Sequence, residues 1–443
     1  MPPKTKTAPP CVVVDLGSST IKSGFSGIAT SSPWIPDATT STTTLPTENA
    51  ATSIGDIARQ QWDRRTEIIR PIKRGKIVDL PQLKLLLSHI LLNQLEISPK
   101  KQSLLFLDAP GFGYGSNGDR ASLMTWTFEK LGCKSCMFMP QPVAGAFATG
   151  RTTAVVVDSG FESSSVTSVV DGRMEQKNVL RIDHASQETA MLEMLLANER
   201  ISTTEGEGLP TVDQVGNSCR QVAEGICYCT LKPLHKELNA AKAGRTKRKY
   251  QLPDGTWLPV SEERFLIPEV LFGSNFGNRW NCGGGGGGDF NGFLGSGGLG
   301  GAVAYQLKQQ QATCSQDTYV DLSQNIVCIG GRSETENFDE RLDLEIGKAL
   351  GLLPRKKKSL EDDDASDVEK DDNNVVGEQK EHTPKRPKMA RNKQRSKKTP
   401  RTNAAWAGGS MIASIDAMRS LWITKAEFDE LGAEACVDRR RMS

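Results

Sequence analysis

Two stretches of the chain nearly rhyme: VVVDLGSSTIKSG at 12–24 and VVVDSGFESSSV at 155–166. Each is an apolar, β-branched run that ends in Asp-x-Gly and continues into hydroxyl side chains. Runs of this kind read as buried strands, and the glycine as a sharp turn at the strand's end. Such a turn aims backbone N–H groups at a docking polyphosphate, while the Asp offers a carboxylate to a hydrated Mg2+. One copy reads as an ordinary tight turn. Two copies, at Asp15 and Asp158, each opening a set of strands, predict a duplicated fold that clamps one nucleotide between its halves. A third glycine turn, VCIGGRSETENF at 327–338, follows another apolar strand, and Gly330-Gly331 would let an adenosine lie against bare backbone.

At 443 residues the chain is long enough for two or three cores. Its 55 Lys plus Arg nearly balance 53 Asp plus Glu, so net charge points to neither nucleic acid nor membrane, and placement matters more. No apolar run approaches the length of a bilayer span, and MPPKTKTAPP lacks the apolar centre of a secretory signal, which predicts a soluble, intracellular protein. Ten scattered cysteines suit reduced thiols rather than a disulfide framework. Cys133 and Cys136 form a lone CKSC, and Cys227 and Cys229 a CYC. Buried reduced thiols fit better than a zinc site, which needs two such pairs brought together. With four histidines and none beside a nucleophile motif, a Ser-His-Asp or Cys-His hydrolase has no support.

Between the strands, TTSTTTLPTENAAT reads as an exposed loop, DLPQLKLLLSHILLNQL as a helix and QSLLFLDAP as a short buried strand ended by Pro110. Residues 178–240 read as mostly helical, and YQLPDGTWLPV as a hairpin around Asp254-Gly255. The tract NCGGGGGGDFNGFLGSGGLGG predicts a floppy surface insertion. The block 355–401 runs from RKKK through an acidic stretch to PKRPKMARNKQRSKKTPR, and such like-charge runs predict disorder. Beyond it, SMIASIDAMRSLWI reads as one amphipathic helix.

The longer motifs resemble actin and the actin-related proteins. They are VVVDLGSSTIKSGFSG, GRTTAVVVDSG, RQVAEGICYC, YQLPDGTWLPVSEERFLIPEVLF, LSQNIVCIGG and WAGGSMIASIDAMRSLWITKAEFDE, in the family's order, covering about 11–353 and 402–436. The resemblance implies an α/β fold of two lobes and four subdomains around a central cleft holding ATP or ADP with Mg2+. It implies subdomain 1 from 1–36, 71–148 and 402–443, subdomain 2 from 37–70, subdomain 3 from 149–184 and 280–401, and subdomain 4 from 185–279. Insertions fall at 281–301 and 355–401. Carried over by position, Asp15, Gly17, Ser18, Ser19 and Lys22 match the first phosphate loop, and Asp158 and Gly160 the start of the second. Asp15 and Asp158 would hold the metal through water. Glu224 matches a contact to the sugar, and Gly330 and Gly331 the adenosine turn.

The departures from the family bear on activity. After DSG the family continues with Asp, Gly, a β-branched residue, Thr and His, which touch the phosphates and help place the attacking water. Here stand Phe161, Glu162, Ser163, Ser164 and Ser165. Glu162 would repel a polyphosphate in a poorly hydrated cleft, so either it turns away or phosphate binding is weak. Gln141 keeps the place of the water-orienting Gln, a vestige without its neighbouring His. Ala223 replaces a Lys on the sugar side, and DHASQETA lacks a family Gly. These changes predict nucleotide binding without rapid hydrolysis. Filament contacts are rewritten too, in the Thr-rich segment near 40–53 and the loop near 277–302.

Lys385, Arg386 and Lys388, in KRPK, fit the short basic pattern read by nuclear import receptors, with RKKK at 355–358 upstream. A solvated tail and salt-sensitive, sequence-independent phosphate-backbone binding are the other readings of that stretch. Ser366, Thr383 and Thr399 are candidate phosphorylation sites. The family further implies a cleft between subdomains 1 and 3, here Phe147, Thr152, Ile412, Ala417 and Leu421, that receives a partner's amphipathic helix. Actin itself is another candidate partner. Together these expectations describe a nuclear, non-polymerising, ATP-binding scaffold of a chromatin-remodelling or histone-modifying complex. A cytoskeletal actin-related protein of a filament-nucleating or dynein-adaptor assembly is the alternative. A phosphotransferase of the same superfold would need a catalytic Asp, and the chain offers no candidate.

Overall fold

The computed structural model describes residues 11–27, 40–43, 52–54, 66–110, 118–175, 178–202, 209–210, 215, 218–273, 298–352, 387–389 and 400–439, with backbone alone at 40–43, 52–54 and 66–68. Its two main sheets repeat one plan. In the first lobe, Val12–Leu16 pairs antiparallel with Ile21–Phe25, setting Asp15 opposite Lys22, and parallel with Ser103–Asp108. Ser135–Pro140 extends the sheet in parallel, and Ile423–Thr424 closes its edge. In the second lobe, Ala154–Ser159 pairs antiparallel with Ser163–Val170 and parallel with Ile326–Ile329. Arg173–Met174 and Leu180–Asp183 also pair with Ser163–Val170. The two Asp strands therefore hold equivalent places in duplicated sheets.

Both faces of these strands are covered, which is why they read as unbroken apolar runs rather than alternating ones. Val12 and Val14 enter a core beneath the helix Leu80–Ser88, while Val13 points the other way. Val13 joins Leu105, Met137, Ala154, Val156 and Ile329 in a core to which both sheets contribute. Successive side chains of a strand leave on opposite faces, so each valine run stitches two cores together. The shared core is filled by the helices Gln141–Ala148 and Ala404–Ala413. Trp406 from the second donates its indole N–H to the Val13 carbonyl at 3.3 Å. A further core gathers Gln187–Ala197, Cys219–Ile226, Glu263–Glu269 and the expected hairpin of Arg248–Gln251 with Trp257–Val260.

Several expectations need correction. The Thr-rich segment is not simply a loop: Thr40–Thr43 pairs with Thr52–Ile54 and Thr66–Ile69 as a small sheet. Thr is β-branched and fits a pleated backbone, a preference that apolar periodicity does not register. The region 178–240 contributes the strand Leu180–Asp183 as well as helices. The glycine insertion ends sooner than 301, because Gly298–Thr313 is a helix whose residues 298–301 are buried, with Gly300 lying against Glu345 and Ile346.

The charged block is also shorter than read. Lys388 donates its N–H to the Ser323 carbonyl at 2.8 Å and accepts from Ile326 at 3.2 Å, so 387–389 lies along the edge of the second sheet. Arg401 is pinned to Asp339 by two bonds of 2.8 and 2.6 Å. Finally, SMIASIDAMRSLWI is not one helix. The helix ends at Ala413, and Asp416–Leu421 is a separate 3-10 turn.

Candidate functional site

The three glycine turns converge on one cavity of about 370 Å³ between the lobes. Asp15, Gly17, Ser18, Ser19, Lys22, Asp158, Gly160, Glu224, Gly330 and Gly331 all line it, and so does Gln141. Its floor is built by strand pairing. Asp15 and Lys22 face each other across the first hairpin, and the Lys22 ammonium lies 3.1 Å from Asp15 Oδ2. Gln141, at the start of its helix, donates to Asp15 Oδ1 at 2.6 Å and to the Leu16 carbonyl at 3.3 Å. Asp158 ends the equivalent strand opposite. Burial pushes its carboxyl up to about 7, with the Asp15 carboxylate acting in the same direction and Lys22 and Arg181 opposing.

Gly330 shows why the third turn must be glycine. Its φ is +86°, and a Cβ there would come within 2.3 Å of the Ser159 carbonyl oxygen and 2.7 Å of Asp158 Oδ1. A side chain would push the third turn off the second strand's end.

Two groups in the cavity wall carry hydrogen-bonding capacity that no described residue uses. They are the Ser19 hydroxyl and the Nε and Nη2 of Arg332. Arg332 follows the Gly330-Gly331 turn, is 3% exposed, and has its pKa lowered to about 10 by burial. Its Nη1 donates to Nδ1 of the buried His184 at 2.8 Å. His184 Nδ1 also stands 3.1 Å from the Ala185 carbonyl, and Nε2 lies 3.0 Å from Ser164 Oγ, itself 3.1 Å from Ser159 Oγ. Burial, then the neighbouring Arg332 charge, hold the His184 pKa well below its ordinary value, so the ring is neutral. Unused buried donors beside two carboxylates suit a ligand rich in acceptor oxygens that arrives with a divalent cation. Among the described residues no group of three or more His, Cys, Asp or Glu side chains could hold a metal alone. Both Asp15 oxygens are already engaged, so a cation here would be held through water and the ligand's own oxygens.

The departures in the second loop are resolved by direction. The Glu162 carboxylate leaves the cavity and accepts the Arg74 backbone N–H at 3.0 Å. Phe161 lines the cavity and carries the Arg70 guanidinium over its ring, 5.0 Å from the centroid. Ser165 lines the cavity where the resemblance places His. Ser18 Oγ accepts from the Gly75 N–H at 3.2 Å. Glu224 pairs with Arg220, one turn earlier in its helix, at 2.9 Å. Sequence reasoning missed Arg181, Arg332 and Arg401 in this wall. Arg332 adjoins the glycine turn and could have been found there, whereas Arg401 was hidden at the end of a charged run.

Elsewhere, Ile412 is fully buried in the shared core and does not face a partner. Phe147 and Leu421 are half-buried, and Thr152 and Ala417 are exposed. Met411 and Ile415 are exposed beside them in sequence. Lys388 is exposed, while Lys385, Arg386, Ser366, Thr383 and Thr399 lie outside the described residues. The nine described cysteines carry free thiols. Burial pushes Cys133 and Cys227 up to about 12 and raises Cys136 and Cys229 as well. No helix among the described residues is long and apolar enough to cross a membrane.

A family model described as Actin matches residues 7–442. Among curated relatives, actin-like protein 9 of Mus musculus is 26% identical over 442 residues, 98% of this chain and 88% of its own length. The Homo sapiens actin-like protein 9 is 27% identical over 440 residues, 98% and 87%. Actin-like protein 7B of Rattus norvegicus is 24% identical over 437 residues, 96% and 86%.

Proposed function

The chain belongs to the actin family, and on that premise we propose that it is a non-polymerising actin-related protein that binds ATP or ADP with Mg2+ as a structural ligand. It hydrolyses that ligand weakly or not at all, and serves as a scaffold subunit of a nuclear chromatin-remodelling or histone-modifying complex. One observation carries the reading. A single cavity joins an intact first loop, Asp15 to Lys22, to a second loop whose water-placing residues are replaced by Phe161, Glu162 and Ser165.

The residues divide the work simply. Lys22 supplies a point charge to a polyphosphate, Ser19 and the turn backbones supply donors, and Gly330-Gly331 supplies a flat resting place for the base. Mg2+, when bound, would neutralise the phosphate charge beside Asp15 and Asp158. Gln141 is held by Asp15 and, among the described residues, has no imidazole hydrogen-bonded to it to share in orienting a water. Binding stabilises the folded chain by mass action and gives partners a stable surface. The scaffold role is supported by the half-buried Phe147 and Leu421 and the exposed apolar Met411 and Ile415, residue types suited to docking an amphipathic helix. Nuclear placement is supported by the basic run around Lys385, Arg386 and Lys388.

Calorimetric titration of the full chain with MgATP tests the ligand. Saturable binding that Lys22→Ala abolishes is expected, and heats unchanged by that substitution would refute it. Imaging a fluorescent fusion with and without residues 385–398 tests the compartment. Loss of nuclear signal on deletion is expected, and a cytoplasmic distribution in both would favour a cytoskeletal role.

A further inference from the structure

The second loop's unusual residues meet a segment of the opposite lobe. Residues 70–75 belong to the first lobe: Ile72 is buried in its core, and Gly75 donates to Ser18 of the first loop. The contacts with the second lobe are specific. Phe161 lies under Arg70, whose Nη2 also reaches Glu188 at 3.3 Å. Glu162 accepts the Arg74 N–H, and Arg181 donates to the Arg74 carbonyl and, at 3.4 Å, to that of Pro110. Asp183 holds Arg181 in place at 2.7 Å. Arg74 is therefore gripped at both its N–H and its carbonyl, in a left-handed conformation with φ +49°. A non-glycine residue there is strained and persists only where its surroundings fix it. Gly75 beside it has φ +63°, and a Cβ would stand 2.7 Å from that of Ala109 in its own lobe and 3.4 Å from Arg181 Nη1 of the other, so the backbone has little room where the lobes meet.

We propose that Phe161 and Glu162, with Arg181 and Glu188, are positioning residues of an interlobe clasp that holds the cleft closed without a polyphosphate. In a cleft that closes on its ligand, the ligand must bind the closed state better than the open one. Here intrachain contacts already bridge the lobes beside the phosphate loops, and a ligand meeting an already closed cleft shifts little. Glu162 serves twice, gripping Arg74 and carrying its charge away from the cavity. The clasp needs no nucleotide, so it stands or falls separately from the proposed ligand.

Spin labels at Lys100 and Lys247, exposed residues on opposite lobes, read closure in the nucleotide-free full chain. The wild type is expected to give one narrow distance that MgADP leaves unchanged. Phe161→Ala/Glu162→Gly is expected to broaden it toward longer values, whereas Glu162→Gln, which keeps an acceptor for the Arg74 N–H, stays narrow. A wild type that opens without nucleotide, or a double variant with the wild-type distance, overturns the clasp. Should the double variant not fold, Glu188→Gln/Arg70→Met is read in its place, with the same expected broadening. MgADP failing to re-close an opened variant counts against the nucleotide reading and leaves the clasp standing.

Discussion

His184 is the residue through which acid should act on this fold. It is buried and neutral, with Nδ1 accepting from Arg332 and Nε2 facing Ser164. Its folded pKa lies well below 6.5, so only the unfolded chain takes up a proton as pH falls through that value. Stability from this group is complete above about pH 6.5 and declines below it, by up to about 1.4 kcal/mol per pH unit. Urea unfolding at pH 7.5 and 5.5 should show a larger acid-side loss for the wild type than for His184→Asn, and equal losses would refute the assignment. Arg332 makes a second prediction. Arg332→Met gives up the Nη1 bonds to His184 and Ala185 but also removes a buried charge whose Nε and Nη2 have no described partner, so it should cost at most about 1–3 kcal/mol of ligand-free stability, rather than the ~3–5 kcal/mol lost when a buried pair is broken. The variant should nevertheless lose most of its stabilisation by MgATP in thermal unfolding, and undiminished stabilisation would place the ligand elsewhere.

Among the elements, the tightest fit is between the helices Gln141–Ala148 and Ala404–Ala413. A Cβ on Gly408 would stand 1.7 Å from the Ala144 carbonyl oxygen, an overlap no rotamer change relieves. Gly408→Ala should therefore destabilise by at least the ~1–3 kcal/mol typical of overpacking, and an unchanged chemical-unfolding midpoint would contradict the packing. The strands were legible because valine runs ending in Asp-x-Gly fix both burial and the turn, and the cavity followed once three such turns were placed together. The second loop was legible only as a loss. The partner of Glu162 is a backbone N–H at Arg74, far away in sequence, and no local pattern reports a contact of that range. For the same reason 387–389 read as part of a charged tail, although backbone bonds to Ser323 and Ile326 anchor it. Apolar spacing also ran the last helix on past Ala413, and a 3-10 turn of Asp416–Leu421 stands there instead.

At the scale of the molecule, the two Asp strands make a duplicated fold around one cavity, and the proposed function rests on their difference. The segments near 40–53 and 277–302, read as rewritten polymer contacts, lie largely outside the described residues. Polymerisation is thus a question for solution: sedimentation in MgATP and salt should find the protein non-filamentous at every concentration tried, and a concentration-dependent pellet would contradict the proposed role. The central claim, binding without turnover, is tested most directly by mixing the nucleotide-free protein in excess with trace γ-labelled MgATP and following label on protein and in free phosphate together. The account predicts ATP bound at the cleft, abolished by Lys22→Ala, and recovered intact after prolonged incubation. Free phosphate rising in step with bound ATP would contradict it.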